Sequence, residues 1–300
     1  MRPTTRFRRL VDAPGILVLP GIQDALTARI AEAAGFAAVT CGGYAATAAL
    51  LGQPDTSQLG LMEMAEHYAR ICDAVSVPVF ADADTGFGNV TNVRRAVRAY
   101  ERAGVAGLFI EDQLFPKRCG HMAGKAVVPA EEMVGKLKAA LDARRDADLV
   151  IMARTDALAI NGLDDAIERG QLYRAAGADM VFVEAPRDID QMRRICAEID
   201  APCMANNIEG GLTPFLPAAE LEAIGYAMVA FPVATTYAIA ATIGRLMQTL
   251  HATGTTADAA DAMLDFTAFN ALVGLPELRA AEERDLAFAR RLMDAGAPRR

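Results

Sequence analysis

The chain has no tryptophan, three histidines and five cysteines, and aromatic residues fill only 6% of its 300 positions. Each scarcity excludes something. Cys41, Cys72, Cys119, Cys196 and Cys203 are odd in number and never spaced CxxC. Neither a zinc site nor a disulfide framework is indicated, and a reducing cytoplasm fits best. Gly86 and Gly88 lack the GxGxxG spacing and the downstream acid of a dinucleotide fingerprint. A formal charge of -8 gives no basic face for a phosphate backbone, so nucleic acid is not expected as a partner. Arg2, Arg6, Arg8 and Arg9 open the chain without the apolar core of a signal peptide, which leaves only an organelle-targeting leader open. Two long uncharged stretches, Ala33 to Pro54 and Ala227 to Gly244, are interrupted by Gly42-Gly43 and by Pro232. They read as strands running into helices, not as membrane spans.

What is abundant is apolar: 53% of residues, against 23% charged, enough for a sizeable core. Short β-rich runs recur at Ile16 to Pro20, Ala37 to Cys41, Val77 to Ala81, Gly107 to Glu111, Leu149 to Ala153, Met180 to Glu184, Pro202 to Ala205 and Met228 to Phe231. Between them the apolar spacing is helical: Val93, Val97 and Tyr100; Met133, Leu137 and Leu141; Ile167, Leu172 and Tyr173. Alternation of strand and helix implies parallel strands with crossover helices. The α/β chain is therefore predicted to be one (β/α)8 barrel domain over residues 1–300, with an N-terminal extension at 1–14 and extra C-terminal helices from 235 to 300. Ala34-Gly35, Ala103-Gly104 and Ala176-Gly177 mark helix ends before strands. Phe266, Phe269, Leu272 and Leu275 form an apolar tail that must bury its face, and a neighbouring subunit is the natural cover.

Charged residues collect where strands end, which is the catalytic face of such a barrel. Asp82 and Asp84, two apart, are expected on one strand face, with Glu111 on the next strand; hard oxygen ligands of this kind suit Mg²⁺ that keeps several waters. The bland alternative has Asp84 capping a turn and Asp82 paired with a lysine. Cys119 lies among Lys117, Arg118, Gly120, His121 and Lys125. Cationic neighbours lower a thiol pKa, so nucleophile, redox thiol and proton donor all stay open, the last if a doubly negative substrate offsets those cations. Arg154 is placed to hold a carboxylate, or else to pair with Asp156 or Glu184. Glu184, Asn206 and Glu209 lie at or beyond the next strand ends and could orient substrate. His67 and His251 are expected at the surface.

Asp82-Ala83-Asp84-Thr85-Gly86-Phe87-Gly88, Glu111-Asp112-Gln113 and Lys117-Arg118-Cys119-Gly120-His121 together resemble the isocitrate lyase and phosphoenolpyruvate mutase superfamily, from about Pro20 to about Leu275. The cysteine loop resembles the gating loop of the lyase branch, which cleaves carbon-carbon bonds. The resemblance implies Mg²⁺, or Mn²⁺ in its place, at Asp82, Asp84 and Glu111. It implies substrate binding by Asp55, Arg154, Glu184, Asn206 and Pro232, Cys119 as the catalytic acid, and a homotetramer that exchanges C-terminal helices. The serine that the family uses to hold a carboxylate is replaced in Gly42-Gly43-Tyr44, leaving backbone amides for that task. Asn206 to Pro214 looks like the dimethylmalate lyase, alkylmalate lyase and oxaloacetate hydrolase subgroup, whereas Ala153 to Ala159 looks like the methylisocitrate lyases. The implied reaction cleaves a small anionic 2-hydroxy di- or tricarboxylate to pyruvate and a carboxylic acid. Tyr44 is the preferred base, with Glu184 or an Asp55-linked water as competitors; oxaloacetate hydrolysis and phosphonate isomerisation are the alternative chemistries.

Overall fold

The structure is a computed structural model that describes residues 1–122 and 124–294. Met1–Ala240 and Ala241–Arg300 form two compact units. In the first, eight parallel strands run in chain order: β1 Leu17–Pro20, β2 Val39–Cys41, β3 Val79–Asp82, β4 Gly107–Glu111, β5 Val150–Thr155, β6 Met180–Val183, β7 Met204–Asn206 and β8 Met228–Phe231. Continuous ladders link β2 through β6 and join β7, β8 and β1. Single parallel bridges, Gly21 to Thr40 and Val181 to Cys203, close the circle. The predicted barrel is thus the observed one. The run expected to end at Ala153 continues through Thr155, because Glu111 and Arg154 stay in register across β4 and β5. A ladder needs only backbone partners, so it carries charged residues into the barrel mouth where hydropathy alone would have stopped.

The barrel interior is aromatic and sulfur-rich. Phe7, Phe80, Phe109 and Phe182 follow one another at centroid separations of 5.3, 5.9 and 6.2 Å. Phe7 comes from the helix Pro3–Asp12, so the predicted N-terminal extension folds back, with Phe7 wholly buried in the same core cluster. Two of its arginines meet acids, Arg2 with Asp146 and Asp148 at 3.0 Å each and Arg8 with Asp179 at 3.1 Å. The crossover helices cover the outside. Val93, Val97 and Tyr100, and Met133 and Leu137, are buried as expected. Leu172 is 43% exposed instead, because five residues after Ile167 a helix has turned well off the buried stripe that Tyr173 regains. At Gly104 and Gly177 the chain leaves its helix with φ of 91° and 106°, which a side chain would resist.

Two buried tyrosines brace the end of β3. The Tyr68 hydroxyl sits between Cys41 and Asp82, donating to the Cys41 carbonyl at 2.7 Å and accepting from the Asp82 N–H at 2.8 Å. It fills the place where the next ladder bond would lie. The Tyr100 hydroxyl donates to the Asp82 carbonyl at 2.9 Å. His67, expected at the surface, is 5% exposed with Nε2 2.9 Å from the Gln23 carbonyl; a helix face that packs on the barrel carried it inward.

The second unit contains the remainder of the helix Ala234–Thr253, a 3-10 turn Ala257–Ala262 and the helices Phe266–Leu272 and Leu275–Asp294. None of these helices buries a residue, and Phe266 is 85% exposed. No helix among the described residues is long and apolar enough to cross a membrane.

Replacing Tyr68 by Phe strands a buried amide, so the folded state should lose about 1–3 kcal/mol. Urea unfolding checks this as a lower midpoint at unchanged slope.

Candidate active site

Side chains from the C-terminal strand ends and the loops beyond them line a cavity of about 230 Å³. Asp82, the last residue of β3, points its carboxylate back onto backbone: Oδ2 accepts from the Gly43 N–H and Oδ1 from the Asp84 N–H, both at 2.8 Å. Asp84 is therefore not the second member of a strand face. It lies past β3 with φ of 47°, held by this local turn, a conformation that aspartate tolerates better than most residues. Glu111 ends β4 at 1% exposure; its Oε2 is 3.2 Å from Arg154 Nε, and its Oε1 has no hydrogen-bond partner among the described residues.

Arg154 is the hub. Its Nε meets Asp156 Oδ2 at 2.9 Å, its Nη2 meets Glu184 Oε2 at 3.0 Å and Asp156 Oδ1 at 3.3 Å, and its guanidinium carbon stands 5.2 Å from the Phe182 ring centroid. Both structural pairs considered from sequence exist, and Arg154 still lines the cavity without using Nη1 in any of these contacts. Glu184 feels burial, which would raise its pKa, but Arg154, His121 and Lys125 outweigh that and hold it at about 2. Asn206 Nδ2 is 3.4 Å from each Glu184 oxygen.

The loop carrying Cys119 lies against this hub. Lys117, 3% exposed, turns away from the thiol: its Nζ is 2.6 Å from Asp55 Oδ2 and 2.8 Å from Asp84 Oδ1. Lys125 Nζ pairs with Asp156 Oδ1 at 2.6 Å and also donates to the Gly120 carbonyl. Gly120 packs so tightly that an added Cβ would fall 2.5 Å from both Arg154 Nη2 and Glu184 Oε2. His121 Nδ1 accepts from the Leu212 N–H at 2.9 Å, which leaves the ring proton on Nε2, 3.2 Å from Glu184 Oε1. The loop thus ties strand ends β3, β5 and β6 to the segment after β7.

These pairings reverse the expected effect on Cys119. Burial pushes its thiol above the usual 9.0, and the Glu184 and Asp55 carboxylates add to that, outweighing a backbone bond at His121 and the charge of Arg154. The lysines that sequence placed beside the sulfur spend their charge on acids. Cys119 is a protonated thiol at neutral pH.

The remaining predicted residues line the same cavity: Gly42, Gly43, Tyr44, Asp55, Arg118, Asn206 and Pro232. Gly42 caps the helix Gly43–Leu51, and a Cβ built on it would meet only Asp82 Oδ2, at 3.8 Å. The Gly43 amide is taken by Asp82, so of the backbone donors expected to replace the missing serine, those of Tyr44 and Ala45 in the first helical turn remain. Tyr237 was missed from sequence. It stands one turn into the helix after β8, its ring edge-on to Tyr44 at 6.3 Å, and a hydrogen bond to Tyr44, with burial, raises its phenol to about 12. The first turn of the helix after each strand end is the signal that could have found it.

Among the described residues no three His, Cys, Asp or Glu side chains are set closely enough to form a closed metal cage. The donor set nevertheless fits a hydrated hard cation. The buried carboxylates of Asp55, Asp82, Asp84, Glu111, Asp156 and Glu184 gather here with the cations Lys117, Arg154 and Lys125, and Glu111 Oε1 has no hydrogen-bond partner among the described residues. Burial, with Asp82 and Asp55 adding to it, raises Asp84 to about 6 against the opposing pull of Lys117. A hard dication that keeps several of its own waters needs only a few such carboxylates.

Residues 7–251 match the phosphoenolpyruvate phosphomutase family. The chain is 46% identical over 282 residues to the 2,3-dimethylmalate lyase of Eubacterium barkeri, covering 94% of this chain and 98% of that protein. It is 40% identical over 290 residues to the 2-methylisocitrate lyase of Aeropyrum pernix, covering 97% and 92%. A phosphonopyruvate hydrolase solved in complex with oxalate and Mg²⁺ superposes with a TM-score of 0.86 at 28% identity, covering 95% of this chain and all of that one. The loop thiol, the strand-end acids and these matches agree, and the chain belongs to the phosphoenolpyruvate mutase and isocitrate lyase superfamily, among its lyases.

Proposed function

We propose that the protein is a Mg²⁺-dependent lyase that cleaves a 2-methylmalate alkylated at C3, of the 2,3-dimethylmalate type, into pyruvate and a carboxylic acid. One observation carries this reading: a protonated thiol, Cys119, lines the same small cavity as Arg154 and the strand-end acids Asp82 and Glu184, with Asp84 and Glu111 behind its wall. Loss of the substrate's 2-hydroxyl proton lets the C2–O electron pair form the carbonyl of pyruvate while the C2–C3 bond breaks. The pair left on C3 becomes a carboxylate-stabilised carbanion, and Cys119 delivers the proton that quenches it. Arg154 supplies positive charge beside the fragment as it forms. Asp82, Asp84 and Glu111 are the residues that would hold a divalent cation, which would supply positive charge to stabilise the developing oxyanion. Glu184, held at about 2, is too weak a base to take the hydroxyl proton, and Asp55 is engaged with Lys117. Tyr44 remains for that step, which requires it to act as its phenolate, with Tyr237 hydrogen-bonded to the oxygen that takes the proton.

The apolar and acidic residues of the cavity lining support a dicarboxylate substrate in this reading. Met122, Ile208, Pro232 and Val233 present carbon, and Glu209 would repel a third carboxylate. The exposed apolar residues of the second unit, among them Phe266, Phe288 and Met293, are assigned to subunit contacts in a homotetramer that exchanges C-terminal helices. Five unpaired cysteines support a reducing compartment, the cytoplasm, as the enzyme's location.

With Mg²⁺ present, pyruvate release should be fastest from 2,3-dimethylmalate or another 3-alkyl-2-methylmalate, slower from 2-methylisocitrate, and abolished by EDTA. Oxalate from oxaloacetate as the main turnover would overturn the assignment. Cys119→Ser should lower kcat by about 10²–10⁴-fold, and wild-type kcat in that variant would remove the thiol from the mechanism. Because the thiol is raised above 9.0, its alkylation by iodoacetamide, followed peptide by peptide, should be slow near neutrality and accelerate only above about pH 9.

A further inference from the structure

We propose that Asp156 and Lys125 are positioning residues: Asp156 is a shared anion that fixes Arg154 from below and, through Lys125, seats the Cys119 loop against it. Asp156 is fully buried and divides its carboxylate, Oδ2 to Arg154 Nε at 2.9 Å and Oδ1 to Lys125 Nζ at 2.6 Å. Its own place is set rigidly. The Asp156 N–H donates to Asp112 Oδ1 at 2.9 Å, and Asp112 Oδ2 accepts from Thr155 at 2.7 Å, Tyr173 at 2.8 Å and Arg169 at 3.1 Å. A buried carboxylate with that many donors leaves the turn after β5 little freedom.

Lys125 does the second half of the work. Its ammonium holds both Asp156 and the Gly120 carbonyl, and Gly120 is the residue whose backbone touches Arg154 and Glu184 without room for a Cβ. Cys119 and His121 flank that contact. One charge at the end of the loop therefore sets the distance between the thiol and the guanidinium. Neither Lys125 nor Asp156 lines the cavity, so neither needs to touch substrate.

Lys125→Met keeps the aliphatic stem and removes the charge, and the loop position makes it tolerant of folding; circular dichroism and thermal unfolding confirm that it folds. Trypsin cleavage after Arg118, read by mass spectrometry, should accelerate at least about tenfold over wild type, because the loop loses the Lys125 ammonium's bonds to both Asp156 and the Gly120 carbonyl. Lys125→Arg should restore the slow rate, and Lys138→Met, at an exposed lysine on the helix Ala130–Ala143, should leave it unchanged. The kinetic half of the test rests on the lyase reading: kcat for 2,3-dimethylmalate should fall at least about tenfold while KM moves less than about threefold, since substrate contacts are intact. Asp156→Asn should reproduce both effects. Wild-type proteolysis in Lys125→Met overturns the proposal, and so does faster proteolysis with unchanged kcat, which would make the pair merely structural. If no substrate is turned over by any form, the lyase reading fails while the proteolysis comparison still decides the loop contact.

Discussion

A guanidinium buried at the mouth of a barrel imposes the arrangement of everything near it. Arg154 has left water, and a charge in that position is tolerated only when several acids and hydrogen bonds surround it. Glu111, Asp156 and Glu184 do so from three directions, over the face of Phe182. Those acids in turn need further cations, which the loop brings as Lys125 and, one layer across, Lys117. The network is expensive in desolvation and is weak grounds for expecting stability. Its return is geometric: groups bonded on every side have one arrangement, and catalytic electrostatics depend on donors that are already in place.

Much of this was readable in the chain. Alternation of β-rich runs with helical spacing requires parallel strands and crossovers, so the barrel followed from patterning, and strand ends then had to converge. Residues tied to strand ends, such as Asp82, Glu111 and Arg154, inherited their positions from the ladders. Residues with long side chains did not. Lys117 finds Asp55 62 residues away and Lys125 finds Asp156 31 residues away, and nothing in local spacing distinguishes those partners from the thiol next door. The sign of the effect on Cys119 was lost for that reason.

Local backbone and helix phase account for the other differences. Asp84 was expected to continue an extended strand, but a side chain that can accept from the next amide but one turns the chain instead. Leu172 and His67 exchanged their expected environments because apolarity is a poor guide to which side of a helix faces the barrel when neighbours such as Arg169 and Gly170 supply the buried contacts. Tyr237 comes from a helix whose role looked purely structural, and only the closure of the barrel brings it beside Tyr44.

The bare backbone at Gly42 has an evolutionary consequence. Its neighbourhood is already hollow, with the nearest atom to a would-be Cβ 3.8 Å off. Glycine and serine codons can differ by a single nucleotide, so a hydroxyl could be gained or lost here without rebuilding the surrounding fold. Lineages that share this scaffold can thus drift between acids of different shape by one point change, while the rigid ionic lattice beneath stays as it was.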